Sequence, residues 1–255
     1  MKRWKIPLFW NSIGPSEITA VNKVMKSGQL TMGKLVKQFE AAWEKRTGQY
    51  AVMVNSGSSA NLLMVATMLQ AECGWRRGYV ISVPALAWPT TVWPLLQHGL
   101  RPHFMDVGAK TTVGMSLYGA PVPHLCTIAD MCEASSPHHT ARMSSMSFYF
   151  SHHMTTGEGG MVFCRNKSDA DIVRQLRAHG WLRETPGWKV HTPDWMDRRF
   201  TFVRPGYNLR PTEISAAIGL AQLKKLDGWN CKRMALAYAI TGKDYNYAPF
   251  GIMVS

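Results

Sequence analysis

The sequence predicts an α/β fold, a mostly parallel sheet sandwiched by helices. Three observations carry that expectation. Short apolar runs alternate with helical patterns along most of the chain, the rhythm of βαβ units. Residues able to do chemistry fall just after the apolar runs, at the strand ends where open parallel sheets bind ligands. The chain has 255 residues, 46% of them hydrophobic and 18% charged, enough for one large buried core.

In chain order, helical patterns over 16–27 and 35–47 precede a first strand, AVMV at 51–54. The turn Asn55-Ser56-Gly57-Ser58 follows and opens a helix over 59–69. YVISV at 79–83 leads through Pro84 to Trp88 into a helix over 90–98, and HFMDV at 103–107 follows. HLCTIA at 124–129 ends on Asp130, MSFYF at 146–150 ends before His152-His153, and GMVF occupies 160–163. A helix is expected over 167–178. Residues 181–206 are rich in Trp, Pro and Arg without periodicity and read as a long ordered loop. A final amphipathic helix spans 212–226, with Thr212 as N-cap, Glu213 in the first turn and Gly228 beyond its end.

Composition narrows the partners. A net charge of +13 suits nucleic acid, a membrane surface or a small anionic substrate. The basic residues are dispersed or paired, as at Arg76-Arg77 and Lys224-Lys225, and no nucleic-acid-reading motif accompanies them. Neither nucleic acid nor membrane is therefore expected as a partner. No leader or bilayer-spanning run is evident. The five scattered cysteines suit a reducing, cytoplasmic setting better than a disulfide framework.

Several residues invite a functional reading. Gly57, Ser58 and Ser59 open a helix after a strand, an arrangement that binds phosphate through backbone N–H groups and hydroxyls, or simply caps the helix. Asp130, ending an apolar strand, either caps a turn or pairs with a protonated ring nitrogen of the kind a pyridoxal-type cofactor carries. Trp88 either packs in the core or stacks on a ring. The pairs His138-His139 and His152-His153 lack the spacing of a metal site, and no metal is expected.

Taken together, GQLTMG, FEAAW, VNSGSSAN, VPALAWPTTVWPLLQHG, IADMCEA, SFYFSHHMTTGEGG and GYNLRPTEISAAIGLAQLKKL resemble the DegT/DnrJ/EryC1/StrS family of pyridoxal-phosphate-dependent sugar aminotransferases. The resemblance implies the large domain of the aspartate-aminotransferase type of fold, in a homodimer with shared active sites. It implies that Gly57, Ser58 and Ser59 cradle the cofactor phosphate with Ser147, that Trp88 stacks on the ring and that Asp130 pairs with the ring nitrogen. Asn208 is implied to reach the cofactor of the neighbouring subunit. Residues 1–228 are expected to form the cofactor-binding domain with an N-terminal arm, and 229–255 a strongly truncated remnant of the small C-terminal domain. The passage between Asp106 and Ala129 is also shorter than the family's usual strand–helix–strand.

His152 stands where the aminotransferases of this family place the lysine that bonds covalently to the cofactor. Histidine there resembles a smaller branch, the nucleotide-sugar 3-dehydratases. That likeness implies pyridoxamine 5′-phosphate (or pyridoxal 5′-phosphate) held without a covalent link, and His152 as the base. The implied substrate is a nucleotide-diphosphate 4-keto-6-deoxy sugar that loses its C3 hydroxyl. No iron–sulfur cluster is expected, because residues 178–206 contain no cysteine. Two other readings remain: a catalytically impaired homologue kept for binding or assembly, and an aminotransferase using another lysine, for which neither Lys110 nor Lys167 is well placed.

Overall fold

A computed structural model describes residues 12–71, 75–106, 109–120, 122, 126–185, 187 and 196–242. Helices α1 (Pro15–Ser27) and α2 (Lys34–Thr47) lead into strand β1 (Tyr50–Val54) and helix α3 (Gly57–Gln70). Strand β2 (Val80–Pro84), helix α4 (Pro89–Gln97) and strand β3 (Arg101–Met105) form a βαβ unit. Strands β4 (Val113–Met115), β5 (Ile128–Asp130), β6 (Met143–Ser147) and β7 (Gly160–Cys164) follow, then helices α5 (Lys167–Arg177), α6 (Glu213–Leu223) and α7 (Leu226–Thr241).

Five strands pair in the order β1-β7-β6-β5-β4. Four of them run the same way; β7 is antiparallel to both its neighbours. The parallel pair β2-β3 lies against the β4 end of that sheet. There the Thr112 N–H donates to Ser82 Oγ at 2.8 Å, so a side chain carries the link across. The reversal at β7 has a local cause. Residues 148–159 form a turn-rich connection with no crossover helix, and a parallel return needs a crossover. That connection carries both histidines to the carboxyl ends of β5 and β6.

Helices on both faces bury the strands on both sides, which is why β1 reads as a continuous apolar run. Val52 and Val54 join a core with Leu63 and Met64 of α3 and Val173 of α5. Ala51 and Met53, alternating with them, face Phe39 and Trp43 of α2 and Ala216 of α6. On that second face Trp43 stacks on Phe148 at 6.2 Å and meets Phe163 edge-on at 5.5 Å. A Cβ on Gly219 would lie 2.7 Å from Phe39, so glycine lets α6 sit down on that aromatic cluster.

The structure redraws several elements. The strand expected at 146–150 starts earlier and ends at Ser147, and Phe148 turns into the core. The strand expected at 124–129 pairs over Ile128–Asp130, while 123–125 lie outside the described residues. β4 was not anticipated. The helix expected over 212–226 is two helices that break at Lys224-Lys225, and Gly228 lies inside the second. The boundary expected after residue 228 therefore falls in the first turn of α7. In the expected loop, short 3-10 turns occupy Leu182–Glu184 and Arg198–Phe200, and residues 188–195 lie outside the described residues, as does 243–255 with YAPFGIMVS. In the shortened passage, the described residues between β3 and β5 form β4 and a 3-10 turn at Leu117–Gly119, with no α-helix.

Candidate active site

The carboxyl ends of β1, β2, β5 and β6 surround a cavity of about 340 Å³, a size usual for small-molecule sites. Gly57, Ser58, Trp88, Asp130, Ser147 and His152, all singled out from the sequence, line it together. Ser59 and Asn208 do not.

The first wall is the N-terminus of α3. Ser56 caps it, its Oγ accepting from the Ser59 N–H at 3.1 Å and donating to Ser59 Oγ at 2.9 Å. Ser59 is thereby turned inward, and Ser58 takes the cavity side, its Oγ donating to Thr90 Oγ1 at 3.0 Å. A Cβ on Gly57 would stand 2.6 Å from Ser147 Cβ and 2.7 Å from Cys132 Sγ. One on Gly160 would meet Ser56 O at 2.3 Å. Both glycines exist so that the helix end can press onto β6 and β7. The positive end of the α3 macrodipole thus points into the cavity.

Asp130, the last residue of β5, lies at the base and is 3% exposed. Its Oδ2 accepts from Asn61 Nδ2 and Thr91 Oγ1, each at 2.7 Å, and its Oδ1 accepts from the Cys132 N–H at 3.1 Å. Those donors hold the carboxylate in one orientation. Burial and the neighbouring Asp130 charge push the Cys132 thiol well up, so it stays protonated. Trp88 stands at the mouth, 65% exposed, as the N-cap residue of α4.

His152 lies in the 148–159 connection, half-buried, edge-on to Tyr149 at 5.8 Å. Burial pushes its pKa below the usual 6.5; a hydrogen bond to the Ser147 carbonyl and the Asp130 charge oppose that without cancelling it. The lowered pKa favours the neutral imidazole, the form that can accept a proton, while the bond to the Ser147 carbonyl holds the ring in place. His153 turns the other way. It is 3% exposed and does not line the cavity, and its carbonyl accepts from Arg233 of α7 at 3.1 Å. Burial lowers Arg233 to about 10. The doublet divides its work: the His152 ring faces the cavity, and the His153 carbonyl anchors the loop to α7.

Asn208 is exposed and accepts from Arg210 Nε at 3.1 Å. It stands one residue from Leu209, whose carbonyl accepts the Asn55 N–H at 3.1 Å. It therefore lies at the rim, beside the β1–α3 turn but outside the cavity of its own chain.

Sequence reasoning missed Asn61, Thr91, Glu133, Tyr149 and Glu158. Asn61 had a legible signal: a polar residue inside the apolar run from Ala60 to Ala66, four positions after Gly57 and so on the same face. For Glu133 and Glu158, which line the cavity, no local signal distinguished them from solvated acids.

Comparison with known proteins agrees with the geometry. A profile described as the DegT/DnrJ/EryC1/StrS aminotransferase family matches residues 11–115 and 134–243. A GDP-4-keto-6-deoxy-D-mannose 3-dehydratase from Yersinia pseudotuberculosis is 34% identical over 262 residues, covering 86% of this chain and 67% of that protein. Among solved structures, the Escherichia coli GDP-4-keto-6-deoxy-D-mannose-3-dehydratase with bound hydrated PLP superposes with a TM-score of 0.83 at 30% identity, over 96% of this chain and 77% of that one. A GDP-4-keto-6-deoxymannose-3-dehydratase with bound GDP-perosamine superposes equally well, TM-score 0.83 at 33% identity, over 94% and 74% of the respective chains.

Proposed function

We infer, for a chain that belongs to the DegT/DnrJ/EryC1/StrS aminotransferase family, that it is a pyridoxamine-phosphate-dependent dehydratase removing the C3 hydroxyl of a nucleotide-linked 4-keto-6-deoxy sugar. One observation carries the reading. A neutral, half-buried histidine, and among the described lining residues no lysine, faces a cavity based on a clamped carboxylate.

The residues present fit the cofactor. Gly57 and Ser58 at the α3 N-terminus, with Ser147, suit its phosphate; Trp88 suits its ring face; Asp130 suits a protonated ring nitrogen. When bound, the cofactor supplies an amine to join the sugar's keto carbon and a conjugated ring to take up electrons. With the cofactor in place, His152 would be the residue to take a proton from its C4′ and return it to the departing C3 oxygen. Its lowered pKa keeps it ready to accept at neutral pH, and its bond to the Ser147 carbonyl orients the ring. Holding the cofactor without a covalent link leaves its amine free for the sugar.

The nucleotide diphosphate of the substrate suits the basic surplus of the chain. The GDP sugar named for the relatives is the first substrate to try. The open mouth, the exposed Trp88 and the rim position of Asn208 support a homodimer in which Asn208 reaches the partner's cofactor. The cysteines among the described residues are free, which supports a reducing, cytoplasmic setting. Among the described residues no helix is long and apolar enough to cross a membrane.

The test is calorimetric titration with pyridoxamine phosphate, followed by assay for water loss from GDP-4-keto-6-deoxymannose. Saturable binding and a 3-deoxy product are expected, with His152→Asn binding the cofactor but forming no product. Covalent fixation of pyridoxal phosphate to a lysine by borohydride would overturn the reading in favour of an aminotransferase.

A further inference from the structure

Asp130 is reached by donors from α3, from α4 and from the turn after β5, and their arrangement is asymmetric. Asn61 of α3 and Thr91 of α4 both donate to Oδ2 at 2.7 Å. On the other oxygen the Cys132 N–H donates at 3.1 Å. Ser145 Oγ of β6 stands 3.4 Å from Oδ1 but only 2.6 Å from Asn61 Oδ1. A hydroxyl has one proton, and the shorter contact takes it. Ser145 therefore fixes the Asn61 amide the right way round, with its oxygen toward Ser145 and its nitrogen toward Asp130. All four side chains are buried, none more than 4% exposed. The oxygen with acceptor capacity left is Oδ1.

We propose that Asn61 and Thr91 are positioning residues, which saturate Oδ2 of Asp130 and leave Oδ1 to the ring nitrogen of the cofactor. The inference rests on the cofactor reading above. Its physical content is twofold. Two short bonds to one oxygen fix the carboxylate plane without competing for the other oxygen. They also keep Oδ1 aligned on the ring nitrogen, and that alignment favours the protonated ring. Around Asp130, α3 and α4 present only these neutral donors, β6 presents Ser145, and the turn after β5 presents Cys132 and Glu133. His152 faces it from the 148–159 connection.

The test uses full-length protein and pyridoxamine phosphate labelled with 15N in the ring. Wild type is expected to bind it with a protonated-ring 15N signal. Asn61→Leu, close in shape, is expected to bind about tenfold more weakly, the loss of one hydrogen bond to a charged group, with the 15N signal moved toward the unprotonated value. Thr91→Val should move it the same way, and Thr91→Ser, which keeps the hydroxyl, should restore the wild-type signal. An unchanged signal in both Asn61→Leu and Thr91→Val, with the cofactor bound, would overturn the proposal while leaving the cofactor reading intact. Failure of wild type to bind pyridoxamine phosphate would overturn the cofactor reading and the positioning role with it.

Discussion

Two helix N-termini meet two different fates in this molecule. At α2 the Gly33, Leu35 and Val36 N–H groups donate to the carboxylate of Glu213, at 3.0, 2.8 and 2.9 Å. The donors that a helix start leaves unsatisfied are consumed by an acid from the start of α6, and the end is sealed inside the protein. At α3, Ser56 takes the Ser59 N–H, and Gly57 and Ser58 face the cavity. The same electrostatics serves stability in one place and ligand binding in the other. What separates the two ends is whether the chain supplies its own anion.

The sharpest way to break this contrast is at the sealed end. Glu213→Ala removes one acceptor from three buried or partly buried N–H groups and should cost about 3 kcal/mol in urea unfolding, roughly 1 kcal/mol per lost bond. Affinity for pyridoxamine phosphate, measured on the fraction still folded, should hardly change. A parallel loss of affinity would show that the two ends do not act separately.

At the open end the expected pattern reverses. Gly57→Ala places a methyl group against Ser147 and Cys132, and relieving that overlap means lifting the helix end off β6. Overpacking of this kind costs about 1–3 kcal/mol, which here should appear chiefly as cofactor affinity weakened about thirtyfold by calorimetry. Ser58→Ala removes one hydroxyl at the same end. It should weaken binding only a few-fold, about 1 kcal/mol, with an unfolding midpoint close to wild type.

How legible these ends were in the sequence follows from the range of the contacts that make them. The α3 end was readable because its determinants are local: a strand, Asn55-Ser56-Gly57-Ser58 and a helix lie within a few residues of each other. The α2 end was not. Glu213 was read as a favourable acid in the first turn of its own helix, and its partners lie across the chain at Gly33 to Val36. The same limit hid Asn61 and Thr91, whose carboxylate comes from β5, and the anchoring of His153 by Arg233. Helix α7 escaped for another reason. Gly228 was read as a stop, but the chain breaks earlier, at Lys224-Lys225, and a glycine in the first turn of the next helix is tolerated. The strands and the βαβ rhythm were legible because burial on both faces writes itself as unbroken apolar runs.

A third helix end refines the comparison. At α1 the acid is local: Glu17, in the first turn, accepts from the Gly14 N–H at 2.9 Å and is met from α6–α7 by Lys225 at 2.6 Å. Burial pushes this carboxyl up, but Lys225 and the N–H donors outweigh it and hold it at about 2, below the usual 4.5. A carboxyl depressed in the folded state contributes stability above its unfolded pKa and loses it as pH falls through the folded value. Glu17→Gln should therefore differ from wild type by about 1 kcal/mol at pH 6. In urea titrations between pH 6 and pH 3 that gap should begin to close below about pH 4.5 and keep shrinking toward pH 2. A gap constant with pH would mean that Glu17 acts at α1 through shape and not through charge. The α1 end would then differ in kind from the one that Glu213 seals.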